Sequence, residues 1–452
     1  MEIILGKQQE QAVESIINFL KNSKETSYGL FGYAGTGKST IIKWLVDYLY
    51  SEVIEHLLCA PTHKARAMIK YTAGLEAITV HQVLHLIPNI EIKDLDLRDL
   101  LFLSRNKAAN EIPRRGVLIC DEASMINDVL YNFLVEEARA KYCKIIFVGD
   151  KAQLKPVKSS EESLVFTIKD QFILTEIFRQ SKDSGLSSVL PILRNDIIYN
   201  FRNSIGNEGS LICTSSAIEL FKNAYPSFKQ SIEENNIFGA KFFAYTNART
   251  DALNLKIRSL LFPGNEQFYE QEIVTFNDNY SYGFMDYWNS MDYIIQGVTQ
   301  TSSIIPNFGY VEGYKLVLYD SFEDIPGEVF VIDPNISHEI LTKLAYLIES
   351  TRLDAIRYKY IDRKKAANLW KTYYQIIGSF ATFDNIYFDN RIVKKKTLGY
   401  GYASTVHKSQ GSSIDNVFID MKNILSCRDS LEIRQLQYVS VSRARKNVYM
   451  LQ

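Results

Sequence analysis

The sequence predicts an α/β fold built on parallel sheets, and three observations carry that expectation. Short continuous apolar runs recur along the chain, each followed by a segment with helical spacing. Such runs suit strands buried on both faces, as in a parallel sheet covered by helices. One run passes through a glycine-rich turn into a helix, the arrangement in which backbone N–H groups cradle a phosphate. The alternation returns near the C-terminal end, so two α/β units are expected.

In chain order, YGLFG (28–32) reads as a strand and IIKWLVDYLY (41–50) as a helix, with the glycine-rich turn between them. HLLCA (56–60) is strand-like and precedes a helix candidate, THKARAMI (62–69). GVLIC (116–120) and KIIFVG (144–149) are buried-strand runs, each followed by an acidic residue. AKFFAYTN (240–247), DNVFID (415–420) and NVYML (447–451) repeat the pattern, with STVHKSQG (404–411) and LEIRQLQYVSVSRAR (431–445) between them. A short insertion, 88–115, splits the first unit. A longer one, rich in Gly and Tyr with little helical periodicity, spans about 265–340 and reads as small β structure inserted in the second. No repeat and no low-complexity tract is visible.

Composition narrows the function classes. A length of 452 residues suggests about three domains. Hydrophobic residues make up 46% and the net charge is −1, which excludes wholesale disorder. No apolar run reaches a membrane span, and the start MEIILGKQQE lacks a basic-then-apolar leader, so no secretory signal is expected. The cysteines (Cys59, Cys120, Cys143, Cys213, Cys427) are odd in number, far apart and form no CxxC. That fits a reduced, cytoplasmic setting and argues against disulfides, a zinc ribbon or an iron–sulfur cluster. The near-zero charge argues against a nucleic-acid partner only until it is divided. Residues 266–339 hold 13 acidic side chains against Lys315 alone, whereas 352–408 hold 12 basic and 4 acidic ones. The basic stretch is either a binding surface or a solvated face.

Gly32-Tyr33-Ala34-Gly35-Thr36-Gly37-Lys38-Ser39 matches G-x-x-x-x-G-K-[ST] in full, after a strand and at a helix start. Lys38 can reach the β- and γ-phosphates, and the Ser39 hydroxyl can ligate Mg²⁺. Asp121 and Glu122 follow an apolar strand and supply what such a loop lacks: a Mg²⁺ ligand in Asp121 and a base for the attacking water in Glu122. In Gly149-Asp150-Lys151-Ala152-Gln153, Gln153 suits a γ-phosphate sensor, because an amide both donates and accepts; an ordinary loop residue is the alternative. Arg179, in LTEIFRQ, and Arg443, in VSVSRAR, have the planar, permanently charged fork that stabilises phosphoryl transfer, although most arginines are simply exposed.

Taken together and in this order, these segments resemble superfamily 1 helicases, in the 5′-to-3′ branch of RecD-like and Dda-like enzymes. Gln9-x-x-Ala12 resembles the adenine-reading Q motif, and 32–39 motif I. Ala60-Pro61-Thr62-His63-Lys64-Ala65 resembles motif Ia, and Thr79-Val80-His81 motif Ib. Asp121-Glu122-Ala123-Ser124 corresponds to motif II, 149–157 to motif III, and Arg179 to the motif IV arginine. Thr405-Val406-His407-Lys408-Ser409-Gln410-Gly411 resembles motif V, and 438–445 motif VI, with Ser442 where many relatives have Thr.

The resemblance implies two RecA-like P-loop NTPase lobes with parallel sheets, a β-hairpin pin inserted in the first lobe and an SH3-like β insertion in the second. It places the first lobe at 1–180, the second at 181–265 plus 395–452, and the insert, with a helical extension, at 266–394. It implies ATP and Mg²⁺ as cofactors, with nucleotide contacts from Gln9, Gly32, Ala34, Gly35, Thr36, Gly37, Lys38, Ser39, Thr40 and Gly411, and an arginine finger at Arg443. It implies that Thr62, His63, Lys64, Thr79 and His81, with Thr405, His407 and Lys408, grip one DNA strand. Arg391, Lys394, Lys395 and Lys396 either extend that track or form a solvated hairpin or loop.

Phe102 is a candidate wedge at the tip of the pin; its leucine neighbours make a core role equally compatible. The acidic insert is either an aromatic β core with an acidic surface, or a brace or docking site for a basic partner. The implied activity is ATP-driven 5′-to-3′ translocation on single-stranded DNA with duplex unwinding. The implied partners are single-stranded DNA and duplex junctions, with a single-strand binding protein or replisome component as a further one, and the chain is expected to be a monomer. A translocase that strips proteins from DNA, and a nucleotide-gated clamp, are the competing readings.

Overall fold

The computed structural model describes residues 4–88, 102–104, 112–156, 162–178, 184–194 and 198–452, with backbone only at 87–88 and 102–104. By compactness the chain divides into one unit formed by 1–216 with 405–452 and another formed by 217–404.

The first unit contains a six-stranded sheet. Its order is Ile78–Thr79, His56–Ala60, Val117–Cys120, Lys144–Gly149, Ser27–Gly32, Gln171–Leu174, and every pairing is parallel. The continuous apolar runs are explained by what lies on the two faces. Leu30, Ile119, Ile146 and Val148 point into one core with Ile16 and Phe19 of helix Lys7–Asn22 and Ile41 and Leu45 of helix Lys38–Ser51. Their neighbours Phe31, Leu118, Ile145 and Phe147 point into the other, against Leu130, Leu134 and Ala138 of helix Asp128–Ala140. Successive residues of a strand face opposite sides, so both sides must be apolar. Each such side chain contributes about 1.5–3 kcal/mol of burial.

The same unit holds a second set of parallel strands. Ala444–Leu451 lies between Ile414–Asp420 and Leu211–Thr214. Helix Ser430–Ser442 precedes Ala444–Leu451, and Asp429 caps it by accepting from the Leu431 and Glu432 amides. Leu86–Pro88, which leads into 88–115, pairs antiparallel with Phe102–Ser104, Pro88 opposite Phe102. The residues that join these two strands, and the Phe102 side chain, lie outside the described residues.

The second unit begins with helix Ala217–Glu233, strand Ala240–Ala244 and helix Asn247–Leu261. An antiparallel sheet follows, in the order Ile325–Ile332, Gly309–Asp320, Asp292–Ile305, Ile273–Phe276, Leu398–Tyr400. The low helical periodicity of 266–340 is thus a β signature. Part of its aromatic content is core: Phe276 stacks on Tyr287 at 4.5 Å and meets Tyr293 edge-on at 5.3 Å, whereas Phe284 and Tyr310 are exposed. Helices His338–Tyr358 and Arg363–Gly378 bury Leu344, Ile348 and Ile376 against Phe330, Ile332 and Phe380.

Candidate functional site

Strand Ser27–Gly32 delivers the chain into a turn that only glycine can make cheaply at two points: Gly35 and Gly37 lie at φ +81° and +77°. Gly37 is the N-cap of helix Lys38–Ser51, so the helix's first amides face the turn. Lys38 Nζ lies within this loop, donating to the Gly32 and Tyr33 carbonyls at 2.9 Å each. Ser39 and Thr40 are exposed on the first helical turn, and the Thr36 hydroxyl donates to the Tyr33 carbonyl at 2.9 Å. Buried Gln9 reaches the loop from helix Lys7–Asn22. Its Nε2 donates to the Thr36 carbonyl at 3.2 Å and its Oε1 accepts from the Gly6 amide at 2.9 Å. A Cβ on Gly37 would sit 2.2 Å from Gln9 Nε2, so this approach requires glycine.

Asp121 and Glu122 leave strand Val117–Cys120 at its carboxyl end, with Glu122 in the left-handed region at φ +50°. The Glu122 amide donates to Asp121 Oδ1 at 2.8 Å. Desolvation first, and the Glu122 charge second, push the Asp121 carboxyl up to about 7, against the lowering influence of the Glu122 amide hydrogen bond and then of Lys38. A partly buried acidic pair of this kind has excess negative charge that a cation would relieve. Among the described residues no group of three or more His, Cys, Asp or Glu side chains could hold a metal on its own. A Mg²⁺ held by one carboxylate, a hydroxyl, water and substrate phosphate needs no such group, so Asp121 and Ser39 fit that ion.

The base, sensor and finger candidates meet. With its amide nitrogen facing Glu122, Gln153 donates to Glu122 Oε2 at 3.2 Å and accepts from Arg443 Nη2 at 3.2 Å. The flanking carboxylate and guanidinium require this amide orientation. Arg443 is buried at the end of helix Ser430–Ser442, with Nη1 donating to the Ser412 carbonyl at 3.4 Å. Gly411, at φ +77°, packs close by: a Cβ there would lie 3.6 Å from Ala65 Cα and 3.9 Å from Glu122 Oε1.

Sequence reasoning missed the second layer. Tyr438 Oη accepts from the Ala34 amide of the phosphate loop at 2.9 Å and donates to Asp150 Oδ2 at 2.6 Å. Arg194 Nη1 donates to Asp150 Oδ1 at 2.6 Å and to Tyr438 Oη at 3.0 Å, and its guanidinium stacks over the Tyr33 ring at 3.7 Å. Asp150 and Tyr438 stood inside runs already singled out, but nothing in spacing assigned them a role; Arg194 carried no signal. Phe178 is a further omission. Its amide donates to the Gly35 carbonyl at 2.7 Å, and a Cβ on Gly6 would lie 2.7 Å from its ring.

The strand-facing candidates are placed as follows. Thr62 and Thr79 cap helices His63–Ala73 and Val80–Val83, their hydroxyls accepting from the Ala65 and Gln82 amides, and Thr405 accepts from the Lys408 amide at 3.4 Å. Each hydroxyl acts there as an acceptor and keeps its own proton for another partner. Thr79 and Thr405 are buried. Lys64 Nζ donates to the Lys408 carbonyl at 2.9 Å, joining the two sets. Burial lowers the titration of His81 and of His407, the latter against the opposing Glu432 carboxylate 3.2 Å away. Both rings are therefore mostly neutral at pH 7 and offer hydrogen bonds rather than positive charge. Arg179 lies outside the described residues.

The basic stretch before 405 is corrected by the structure. Lys394 is neither a solvated nor a strand-facing cation. It is buried, donates to the Ile377 carbonyl at 2.6 Å and lies 4.7 Å from the Phe380 ring centre; burial lowers its titration to about 7. Lys396 is bound to Asp251 at 2.8 Å.

Residues 4–205 match the AAA domain family and 400–451 the UvrD-like helicase C-terminal domain. The chain is 28% identical to the ATP-dependent DNA helicase dda of Enterobacteria phage T4, with 98% of both chains covered. It is 34% identical to the ATP-dependent RecD2 DNA helicase of Deinococcus radiodurans over 157 residues, covering 34% of this chain and 19% of the relative. The crystal structure of the Pif1 helicase from Candida albicans superposes with a TM-score of 0.52 at 17% identity, covering 100% of this chain and 95% of the other. The two parallel sheets are those of the two-lobed RecA-type fold. Ordered motifs, assembled phosphate site and full-length similarity together place the chain in superfamily 1 of the helicases, in the group related to Dda and RecD.

Proposed function

We propose that the chain is an ATP-hydrolysing DNA helicase that moves 5′-to-3′ on single-stranded DNA and opens duplex ahead of it. The observation that carries this reading is the contact chain Glu122–Gln153–Arg443 beside the phosphate loop. It supports a division of labour in which Glu122 orients and deprotonates water, Gln153 holds Glu122 in register with the γ-phosphate, and Arg443 supplies positive charge as the phosphoryl group separates. Lys38 and the amides after Gly35 would hold the β- and γ-phosphates, Gln9 the adenine edge, and Thr40 and Gly411 the rim. Ser39 and Asp121 would hold Mg²⁺, whose chemistry is to neutralise charge on the phosphate oxygens. Arg179 is proposed as a second phosphate contact.

The strand grip would use the hydroxyls of Thr62, Thr79 and Thr405, the rings of His63, His81 and His407, and the cations Lys64 and Lys408. The Lys64–Lys408 carbonyl bond supports a common path for both sets. The antiparallel pairing of Pro88 with Phe102 supports a pin in this region, and Phe102 is proposed as its wedge. The proposed lobes are 1–180 and 181–265 plus 395–452, with 266–394 as the SH3-like insert. A cytoplasmic location, a monomeric state and a single-strand binding protein or replisome component as partner complete the reading. Among the described residues no helix is long and apolar enough to cross a membrane. The test is unwinding of partial duplexes with a 5′ or a 3′ overhang in ATP and Mg²⁺. Opening from the 5′ overhang with single-strand-stimulated hydrolysis is expected; exclusive 3′-overhang activity would overturn the polarity.

A further inference from the structure

The excess of basic residues in 352–408 is not consumed by the site above, and the structure sorts its members. Arg352 is held by Glu349 at 2.8 and 2.9 Å, Lys394 is buried and Lys396 is bound to Asp251. Arg357, Arg363, Lys364 and Lys365 stay exposed, gathered about the short turn between helices His338–Tyr358 and Arg363–Gly378. On that turn Tyr360 and Ile361 are 87% and 72% exposed.

The helix that these cations begin does not favour them. Arg363, Lys364 and Lys365 occupy the first turn of a helix that has no acidic residue there, so three cations face the positive end of the helix dipole. Asp362, the carboxylate that leads into this helix, is committed as the N-cap and accepts from the Lys365 amide at 3.0 Å. Tyr360 and Ile361 leave apolar surface in water beside them. Lys365 Nζ lies 3.7 Å from the Tyr358 ring centre, so cations and rings form one surface. Clustered cations beside an open aromatic face match an anionic, stackable polymer. An acidic peptide would satisfy the cations and leave the ring idle.

We infer that this turn, with Arg357, is a second single-strand DNA contact, remote in sequence from the motif residues; it rests on the reading of the chain as a DNA-translocating enzyme. Arg363, Lys364 and Lys365 bind phosphates and Tyr360 stacks on a base.

The experiment uses the full chain and a fluorescein-labelled oligodeoxythymidylate, with anisotropy read between about 50 and 200 mM salt. Combined R363E, K364E and K365E is expected to weaken binding on the order of ten-fold and to reduce the log–log salt slope by about two, since each single-strand phosphate contact contributes about 0.7. Y360A is expected to weaken binding on the order of five-fold or more with little change in slope. Hydrolysis without DNA should be unchanged. The thermal transition of the triple variant should not fall, because acidic residues suit a helix N-terminus. Unchanged affinity and slope in both variants overturn the inference. So does an unchanged DNA affinity combined with lost retention on immobilised polyglutamate, which would assign the surface to an acidic protein. A wild-type protein that ignores the oligonucleotide altogether refutes the helicase reading instead, and this inference with it.

Discussion

Asp121 offers the sharpest quantitative test of the phosphate site. Its carboxyl titrates near 3.8 when unfolded and about 7 in the folded chain. The folded state therefore keeps the proton to higher pH, so stability falls as pH rises from about 4 to about 7, and the cost is fully present above that. A shift of about three pH units at 1.36 kcal/mol each gives roughly 4 kcal/mol as an upper bound, since Asp121 keeps some surface in water. Asp121→Asn removes the charge and keeps the oxygen that accepts from the Glu122 amide. At about pH 8 without metal the variant should melt higher than wild type, by on the order of 5–10 °C for a unit of this size. At about pH 6 the gap should shrink as wild type takes up its proton. Magnesium should raise the wild-type transition at pH 8 and leave the variant unmoved, because the ion's carboxylate is gone. The assay is thermal unfolding at fixed protein concentration. A variant that melts at or below wild type at pH 8, or a gap independent of pH, would refute the argument that Asp121 is a desolvated anion awaiting a cation.

Other substitutions test the remaining groups. Lys38→Ala and Arg443→Ala should each lower single-strand-stimulated hydrolysis by about 10³–10⁵ while leaving single-strand binding measurable by anisotropy; wild-type rates in either would remove the residue from the mechanism. Tyr438→Phe takes away the acceptor of the Ala34 amide and the donor to Asp150, a loss of about 1.5–3 kcal/mol for a bond to a charged group. It should appear mainly as a raised KM for ATP with oligonucleotide affinity unchanged, and an unchanged KM would confine the tyrosine to packing. Lys394 titrates near 7 folded and 10.5 unfolded. Stability should therefore rise with pH between about 7 and 10.5, and Lys394→Met should flatten that rise; a retained slope in urea unfolding would place its origin elsewhere. Phe102→Ala should reduce strand displacement with hydrolysis intact, whereas equal loss of both would mark a packing role.

The phosphate site was readable because its chemistry is local. A phosphate loop needs glycines at fixed offsets, a lysine and a hydroxyl, all within one turn joining a strand to a helix, and Gly35, Gly37, Lys38 and Ser39 show that requirement directly. Asp121 and Glu122 were readable for the same reason, at the end of an apolar strand. Strands with both faces buried advertise themselves by composition, as Ile145 to Val148 do by alternating between two cores.

What the sequence could not assign was partnership across distance. Lys394 and Lys395 are adjacent and alike on paper; one is enclosed near Phe380 and Ile377 and the other exposed. Nor does the sequence reveal the burial that lowers the titration of the histidines at 81 and 407. Asp150, Arg194 and Tyr438 come within hydrogen-bond reach of one another, and Tyr438 within reach of the Ala34 amide, only in the folded chain. By itself the sequence determined the parallel α/β architecture, the phosphate chemistry and the order of motifs, because periodicity and turn geometry act over a few residues. Tertiary structure decided which charges face water, which are consumed inside, and that Gln153 links Glu122 to Arg443, because desolvation and hydrogen bonding depend on neighbours brought together from separate parts of the chain.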